Sequence, residues 1–215
     1  MSLKTGQVTG LILAGGRSRR MGGVDKALLD LAGQPMLGRV IERLRPQVKR
    51  IVVNANEDPA RFESFGLPVI ADRMEGHLGP LAGLQAGLDW ARRETPDARC
   101  VASVAADTPF IPADLVARLL TAIADTGATS AIASSGGALT PVVGVWSLAL
   151  VDALADALRA GTRAVHRFAE EQGSAIVEFP FVEIDGDRID PFFNVNTPED
   201  LEKARALLAT ETTRG

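Results

Sequence analysis

The chain is poor in the residues that build several common kinds of site. It has one cysteine, Cys100, in 215 residues, so neither a disulfide framework nor a cysteine-based zinc site can form within a single chain. That usage suits a reducing, cytoplasmic setting. It has two histidines, His77 in a loop and His166 on a predicted helix, and both read as structural or surface residues rather than general bases. No apolar run approaches membrane-spanning length, and the opening MSLKTGQVTG lacks the apolar core of a signal peptide. Surplus positive charge is missing too. The formal net charge is −4, which argues against a nucleic-acid partner or a membrane surface. Internal repeats, low-complexity tracts and Pro/Gly/Ser-rich linkers are absent.

What is present is a globular composition, 46% hydrophobic and 23% charged, sufficient for a packed core and against disorder. One domain over residues 1–215 is expected, with an ordered core over 6–209 and a frayed end at ETTRG. Residues 8–14 read as a buried strand, and 35–44 as a helix with Met36, Leu37, Val40, Ile41 and Leu44 on one face. A second strand is predicted over 50–55, a short helix over 58–65, and a third, short strand over 67–71. A helix over 80–92 follows, then a doubly buried strand over 100–106. Helices over 112–123 and 148–158 flank strands near 130–133 and 142–146, and a terminal helix spans 198–208. Trp90 and Trp146 read as core.

Strands alternating with helices specify an α/β fold, a three-layer αβα sandwich on a Rossmann-like, mostly parallel sheet. Ligands of such sheets sit outside the carboxyl ends of the strands. The positions just beyond those ends are Gly15 and Gly16, Asn54, Asp72 and Asp107. None is apolar, and together they form a polar lining.

The stretch LILAGGRSRRMGGVDKALL, residues 11–29, ends a buried strand in paired glycines, three arginines within four residues and a lone lysine. Glycines let backbone N–H groups converge on an anion, because no Cβ blocks the approach. Arginine and lysine then neutralise charge that develops as a phosphoryl bond breaks. The alternative is a solvated glycine turn with surface arginines. A Walker loop is excluded, since Asp25 precedes Lys26 and Ala27 follows it. The dinucleotide pattern G-x-G-x-x-G is also missing, as is an acidic residue ending the second strand.

L-A-G-G-x-S-x-R-M-G-G-x-D-K, here residues 13–26, closely resembles the signature loop of the molybdenum cofactor guanylyltransferases. The resemblance continues in V-V-N-A-N (52–56), G-P-L-A-G (79–83), D-T-P-F-I-P-x-D-L (107–115) and N-V-N-T-P-E-D-L (194–201), in that order along almost the whole chain. It implies a fold of the nucleotide-diphospho-sugar transferase type. It also implies a reaction in which the terminal phosphate of Mo-molybdopterin attacks the α-phosphorus of GTP and pyrophosphate leaves. The L-A-G-G turn, Leu13, Ala14, Gly15 and Gly16, would hold the guanine nucleotide, Lys26 would contact its phosphates, and Asn54, Asp72 and Asp107 would contact the nucleotide. Asp107 would also bind Mg²⁺, with Mn²⁺ an open alternative. Mg²⁺ wants oxygen ligands and keeps several waters, so one or two carboxylates suffice.

Lys26 and Arg20 are the candidates for steadying the triphosphate and the leaving pyrophosphate, with Arg17 and Arg19 either assisting or simply solvated. No base is needed, because the attacking phosphate is already ionised near neutral pH. Asp107 could instead cap a helix ahead of residue 115. Asn194 and Asn196 could reach the molybdopterin side or the metal shell, and Asp190 could add an oxygen, whereas Asn196 and Thr197 could equally cap the terminal helix. Two segments depart from the family pattern: RMEGHLG (73–79) and SSGGALT (134–140), the latter glycine-rich and expected to be mobile. Base choice would rest chiefly on Gly15, where related cytidylyltransferases carry alanine. The competing readings are a related nucleotidyltransferase using CTP or a sugar phosphate, and a nucleotide-binding module without catalysis. Partners beyond GTP and Mo-molybdopterin would be transient ones, cofactor-insertion proteins or molybdoenzymes.

Overall fold

A computed structural model describes residues 4–15, 25–73, 79–184 and 186–212. Four strands, β1 (Val8–Leu13), β2 (Arg50–Asn54), β3 (Val69–Ile70) and β4 (Cys100–Ala105), pair in parallel in the order β3-β2-β1-β4. Beyond β4 the sheet continues through β6 (Ala138–Ser147), β5 (Ser130–Ser135) and β7 (Ala175–Phe179). β6 runs antiparallel to both its neighbours, and β7 is parallel to β5. The result is a seven-stranded, mostly parallel sheet. Its central strands β1 and β4 are buried along nearly their whole length because helices cover both faces.

Helices α1 (Met36–Leu44) and α3 (Leu115–Thr126) pack on one face, and α2 (Pro80–Glu94), α4 (Val151–Arg159) and α5 (Val165–Glu171) on the other. The predicted stripe of α1 is buried in full: Met36, Leu37, Val40, Ile41 and Leu44. A third cluster joins α6 (Pro198–Thr212) to the antiparallel pair β8 (Val182–Ile184) and β9 (Asp187–Ile189), with Leu31, Met36, Phe110 and Val195 at its centre. No helix among the described residues is long and apolar enough to cross a membrane.

Several expectations shift at their edges. The segment 134–140 is a hairpin joining β5 to β6, with Gly136 and Gly137 at φ +57° and +78°. Two consecutive positive φ values are what a two-residue turn needs to match strand twist, so these glycines order the turn. The helix expected from residue 112 starts at Leu115, where buried Gln47 spans the junction. Its side chain donates to the Pro112 carbonyl at 2.9 Å and accepts from the Val116 N–H at 3.0 Å. The third strand shrinks to two residues, and residues 148–150 form a tight 3₁₀ turn before α4. Trp146 is fully buried and donates from Nε1 to Ser103 Oγ at 2.9 Å, while Trp90 is half-buried on the same cluster. Cys100 is buried in β4, and that burial pushes its thiol pKa up to about 11.

Close packing of α2 on the sheet depends on its small residues. A Cβ on Gly87 would lie 2.4 and 2.8 Å from the two methyls of Leu11, itself fully buried in β1. Gly87→Ala should therefore destabilise the fold by about 1–3 kcal/mol through overpacking, despite a gain of up to ~1 kcal/mol in helix propensity. A lower urea midpoint with an unchanged slope is the expected reading.

Candidate active site

The carboxyl ends of β1, β2, β3 and β4 open into a cleft of about 310 Å³ lined by Leu13, Ala14, Gly15, Asn54, Asp72 and Asp107, among others. It lies where connections leave β1 in opposite directions, β2 and β3 on one side and β4 on the other, the position at which open α/β sheets bind ligands. The lip of β1 is tied to both neighbours. Ala14 N–H donates to the Asn54 carbonyl at 2.9 Å, and Ala106 N–H donates to the Leu13 carbonyl at 3.0 Å. Gly79 and Pro80 bring the first turn of α2 to the same cleft. Proline at the first helical position needs no N–H partner, and the helix presents about half a positive charge there.

Lys26 stands at the centre. Its ammonium donates to Asp107 Oδ2 at 2.7 Å, Asn196 Oδ1 at 2.8 Å and the Val195 carbonyl at 3.2 Å. A carboxylate, a side-chain amide and a backbone carbonyl thus converge on one cation. This is an oxygen set that a hard divalent ion also accepts, with waters and phosphate oxygens completing its shell. Asp107 follows β4 and caps no helix, since α3 begins only at Leu115. Among the described residues no group of three or more His, Cys, Asp or Glu side chains gathers.

The N-V-N segment owes its position to its middle residue. Val195 is fully buried in the cluster beneath α6, and its N–H donates to the Asp107 carbonyl at 3.0 Å. In extended chain, neighbours of a buried residue face the other way. Asn194 and Asn196 are accordingly exposed, Asn194 lining the cleft and Asn196 meeting Lys26. Thr197 caps α6: its hydroxyl accepts from Asp200 N–H at 3.1 Å, while Asp200 accepts from the N–H groups of Asn196 and Thr197 at 2.9 Å each. Those bonds, that from Asn196 foremost, hold the Asp200 carboxyl below its ordinary pKa. Asp190 instead accepts from Phe192 N–H at 2.8 Å and shapes the turn after β9.

On the opposite wall, Asn54 donates to Asp72 Oδ1 at 2.9 Å and to the Ile70 carbonyl at 3.3 Å. Gly83 makes room for it, because a Cβ there would fall 2.3 Å from Asn54 Oδ1 and 2.7 Å from a Leu13 methyl. Two supports escaped the sequence reading. Asp25 accepts from Ala27 N–H and pairs with Arg61 at 3.1 Å, fixing the segment that delivers Lys26. Asn56 bonds Asp72 twice, at 2.7 and 2.8 Å. Only its polarity at the end of a buried strand could have flagged it. Arg73 pairs with Asp89 of α2 at 3.0 Å. Gly16, Arg17, Arg19, Arg20 and His77 lie outside the described residues.

A mostly parallel sheet with its cleft at the β1/β4 boundary defines a nucleotide-handling α/β enzyme, and the comparisons agree. Residues 10–175 match the MobA-like NTP transferase domain, and the chain belongs to that nucleotidyltransferase family. A molybdenum cofactor guanylyltransferase of Rhodopseudomonas palustris (strain BisB5) is 49% identical over 198 residues, 92% of each chain. One from Bradyrhizobium sp. (strain ORS 278) is 48% identical over 211 residues, covering 98% of this chain and 97% of its own. Among solved structures, the molybdopterin-guanine dinucleotide biosynthesis protein A of Archaeoglobus fulgidus superposes with a TM-score of 0.70 at 25% identity. It covers 94% of this chain and 98% of its own. A CMP:2-keto-3-deoxy-manno-octonic acid synthetase with CTP shares the fold at TM-score 0.69 and 19% identity, over 95% of this chain and 99% of its own.

Gly83→Ala separates the site from the core. The new methyl must displace Asn54, so triphosphate binding should weaken about tenfold or more, the scale of one lost hydrogen bond to a buried group. Stability should fall by no more than ~2 kcal/mol, because the helix gains propensity as it loses room. Titration with GTP beside urea unfolding of the same sample reads both.

Proposed function

We propose that this chain transfers the GMP unit of GTP to the terminal phosphate of Mo-molybdopterin, forming molybdopterin guanine dinucleotide and releasing pyrophosphate. The observation that carries this reading is the junction of Lys26 with Asp107 and Asn196, at a cleft bounded by Leu13, Ala14, Gly15, Asn54 and Asp72. The names of the full-length relatives supply the substrates.

In the reaction an oxygen of the acceptor phosphate forms a bond to the α-phosphorus of GTP. The bond from that phosphorus to the bridging oxygen of the β-phosphate breaks, and pyrophosphate leaves with the electron pair. The acceptor is already an anion, so the protein supplies placement and charge rather than a base. Leu13, Ala14, Gly15 and Gly16 hold the nucleoside end, Asn54 and Asp72 orient it, and Lys26 with Arg20 steadies the triphosphate and the departing pyrophosphate. Asn194 and Asn196 face the molybdopterin side. Asp107 and Asn196 would hold Mg²⁺, or Mn²⁺ in its place, since their oxygens already surround a cation. Bound there, the ion supplies positive charge against the phosphate oxygens.

Charge accounting supports that assignment. Among the described residues, Lys26 of the cleft pairs with Asp107, Asp25 of the cleft pairs with Arg61 behind it, and Asp72 adds a further carboxylate. These groups carry no positive surplus for a triphosphate, so the balance falls to the metal and Arg20, with Arg17 and Arg19 either assisting or simply solvated. Gly15 suits the larger base. A Cβ there would meet Asn54 Oδ1 at 3.6 Å and Asn56 Nδ2 at 3.7 Å, ordinary contacts, so its methyl would press on the ligand rather than on the protein. The chain is proposed to act as one unit over residues 6–209 in the cytoplasm, meeting cofactor-insertion proteins or molybdoenzymes only transiently, with no nucleic acid or membrane involved.

Incubation with Mo-molybdopterin, Mg²⁺ and each of the four nucleoside triphosphates should release pyrophosphate with GTP. Release with CTP alone would instead point to the cytidylyl reaction, and release with none to a binding module. Asp107→Ala should lower turnover by at least ~10²-fold, the scale seen on removing one group that stabilises transition-state charge, while circular dichroism stays unchanged. Full turnover in that variant would remove Asp107 from the mechanism.

A further inference from the structure

Asn54 is 3% exposed, lines the cleft, and has both amide hydrogens committed, one to Asp72 and one to the Ile70 carbonyl. A carboxylate can only accept, so the Asn54 amide nitrogen must be the atom that faces Asp72. The carbonyl oxygen Oδ1 is thereby turned the other way, between Gly15 and Gly83. No donor among the described residues bonds it. The wall therefore offers the ligand an acceptor on a buried side chain and withholds a donor. Orientation matters here, because an asparagine rotated by half a turn would present N–H groups to the same place and leave two acceptors behind it unmatched.

What keeps Asp72 in position is Asn56. Its Oδ1 accepts the Asp72 backbone N–H at 2.8 Å, and its Nδ2 donates to Asp72 Oδ2 at 2.7 Å. The two bonds close a ring, and each fixes the sense of the other. The side chain that sets this ring is exposed and is in van der Waals range of the space beside Gly15. Both Asp72 oxygens are thus occupied by side-chain amides, Oδ1 by Asn54 and Oδ2 by Asn56.

We infer that Asn56 is a positioning residue for nucleotide binding, locking Asp72 so that Asn54 presents its carbonyl oxygen to a hydrogen-bond donor of the nucleoside. The relay runs from Asn56 through Asp72 to Asn54, and it rests on the proposed binding of GTP in this cleft. It acts on binding before chemistry begins, so it bears on KM and leaves the phosphoryl-transfer step to Lys26 and Asp107.

The test uses the full chain, GTP binding by titration, and steady-state rates with Mo-molybdopterin and Mg²⁺. Asn56→Ala should raise both the Kd and the KM for GTP about tenfold, the loss of one oriented hydrogen bond, with kcat within about twofold and the thermal midpoint retained. Asn56→Asp keeps the acceptor but loses the donor and sets two carboxylates together, so it should weaken GTP binding further than alanine does. A folded Asn56→Ala protein with unchanged Kd and KM overturns the inference, as does one whose loss falls on kcat alone. If the unaltered protein fails to bind GTP, the functional reading itself fails, and the two results are distinguishable.

Discussion

The cleft depends on one cation and, among the described residues, on three oxygens that hold it. Lys26 joins the segment after the glycine-rich loop to the end of β4 through Asp107, and to the chain entering α6 through Val195 and Asn196. These pieces are 81 to 170 residues apart in sequence. Hydrogen bonds to charged groups contribute about 1.5–3 kcal/mol each when well placed, and the Lys26 and Asp107 side chains are only 18% and 22% exposed. The junction is thus strong enough to organise three walls, yet open enough for a ligand to compete for its parts. A polyanion offers Lys26 new oxygens, and a divalent ion offers Asp107 a new counter-charge. In the proposed reaction both arrive together.

Small and buried residues place the polar ones. Val195 lies in the apolar cluster under α6, so the backbone carries the asparagines on either side outward, Asn194 to the cleft and Asn196 to Lys26. Gly83 omits a side chain so that α2 can lie against Asn54, just as Gly87 does against Leu11 one turn further on. The same helix aims its first turn at the ligand space. Fold stability and site geometry share these contacts, which is why a single methyl can disturb either, depending on which turn of α2 it occupies.

Much of this was legible in the residues. The strand-end rule placed Gly15, Asn54, Asp72 and Asp107 around one opening, and the structure brings them to one cleft with Lys26. Helix periodicity located the face of α1 residue by residue. What escaped is non-local. The paired glycines of S-S-G-G-A-L-T are compatible with a two-residue hairpin turn, but the ten-residue reach of β6 becomes visible only once β4 and β7 flank the two strands. β7 and the β8–β9 pair are short, and their partners are distant or half-exposed, so local apolar pattern carries little signal. Asn56 and Arg61 act through partners 16 and 36 residues away, on Asp72 and Asp25, and such pairings are visible only once the chain has folded.

The antiparallel strand gives the cleft its asymmetry. On one side of β4 lie the carboxyl ends of β1, β2 and β3, where Asn54 and Asn56 place their side-chain amides against Asp72. On the other, β6 runs the opposite way, so its early residues rather than its last reach the same rim, Val142 among them. The wall there is completed by the N-V-N segment instead of a strand end. Asp107, following β4, and Lys26, bonded to it, stand at the boundary between these halves. Joining two phosphates requires a cation where two anions meet, and repulsion between them is greatest at the closest approach. A fold that changes strand direction beside β4 creates one seam with an amide-lined pocket on one side and a different surface on the other. In the proposed reaction, charge placed on that seam acts on both substrates at once, whereas charge placed deeper in either half would hold one substrate without helping it reach the other.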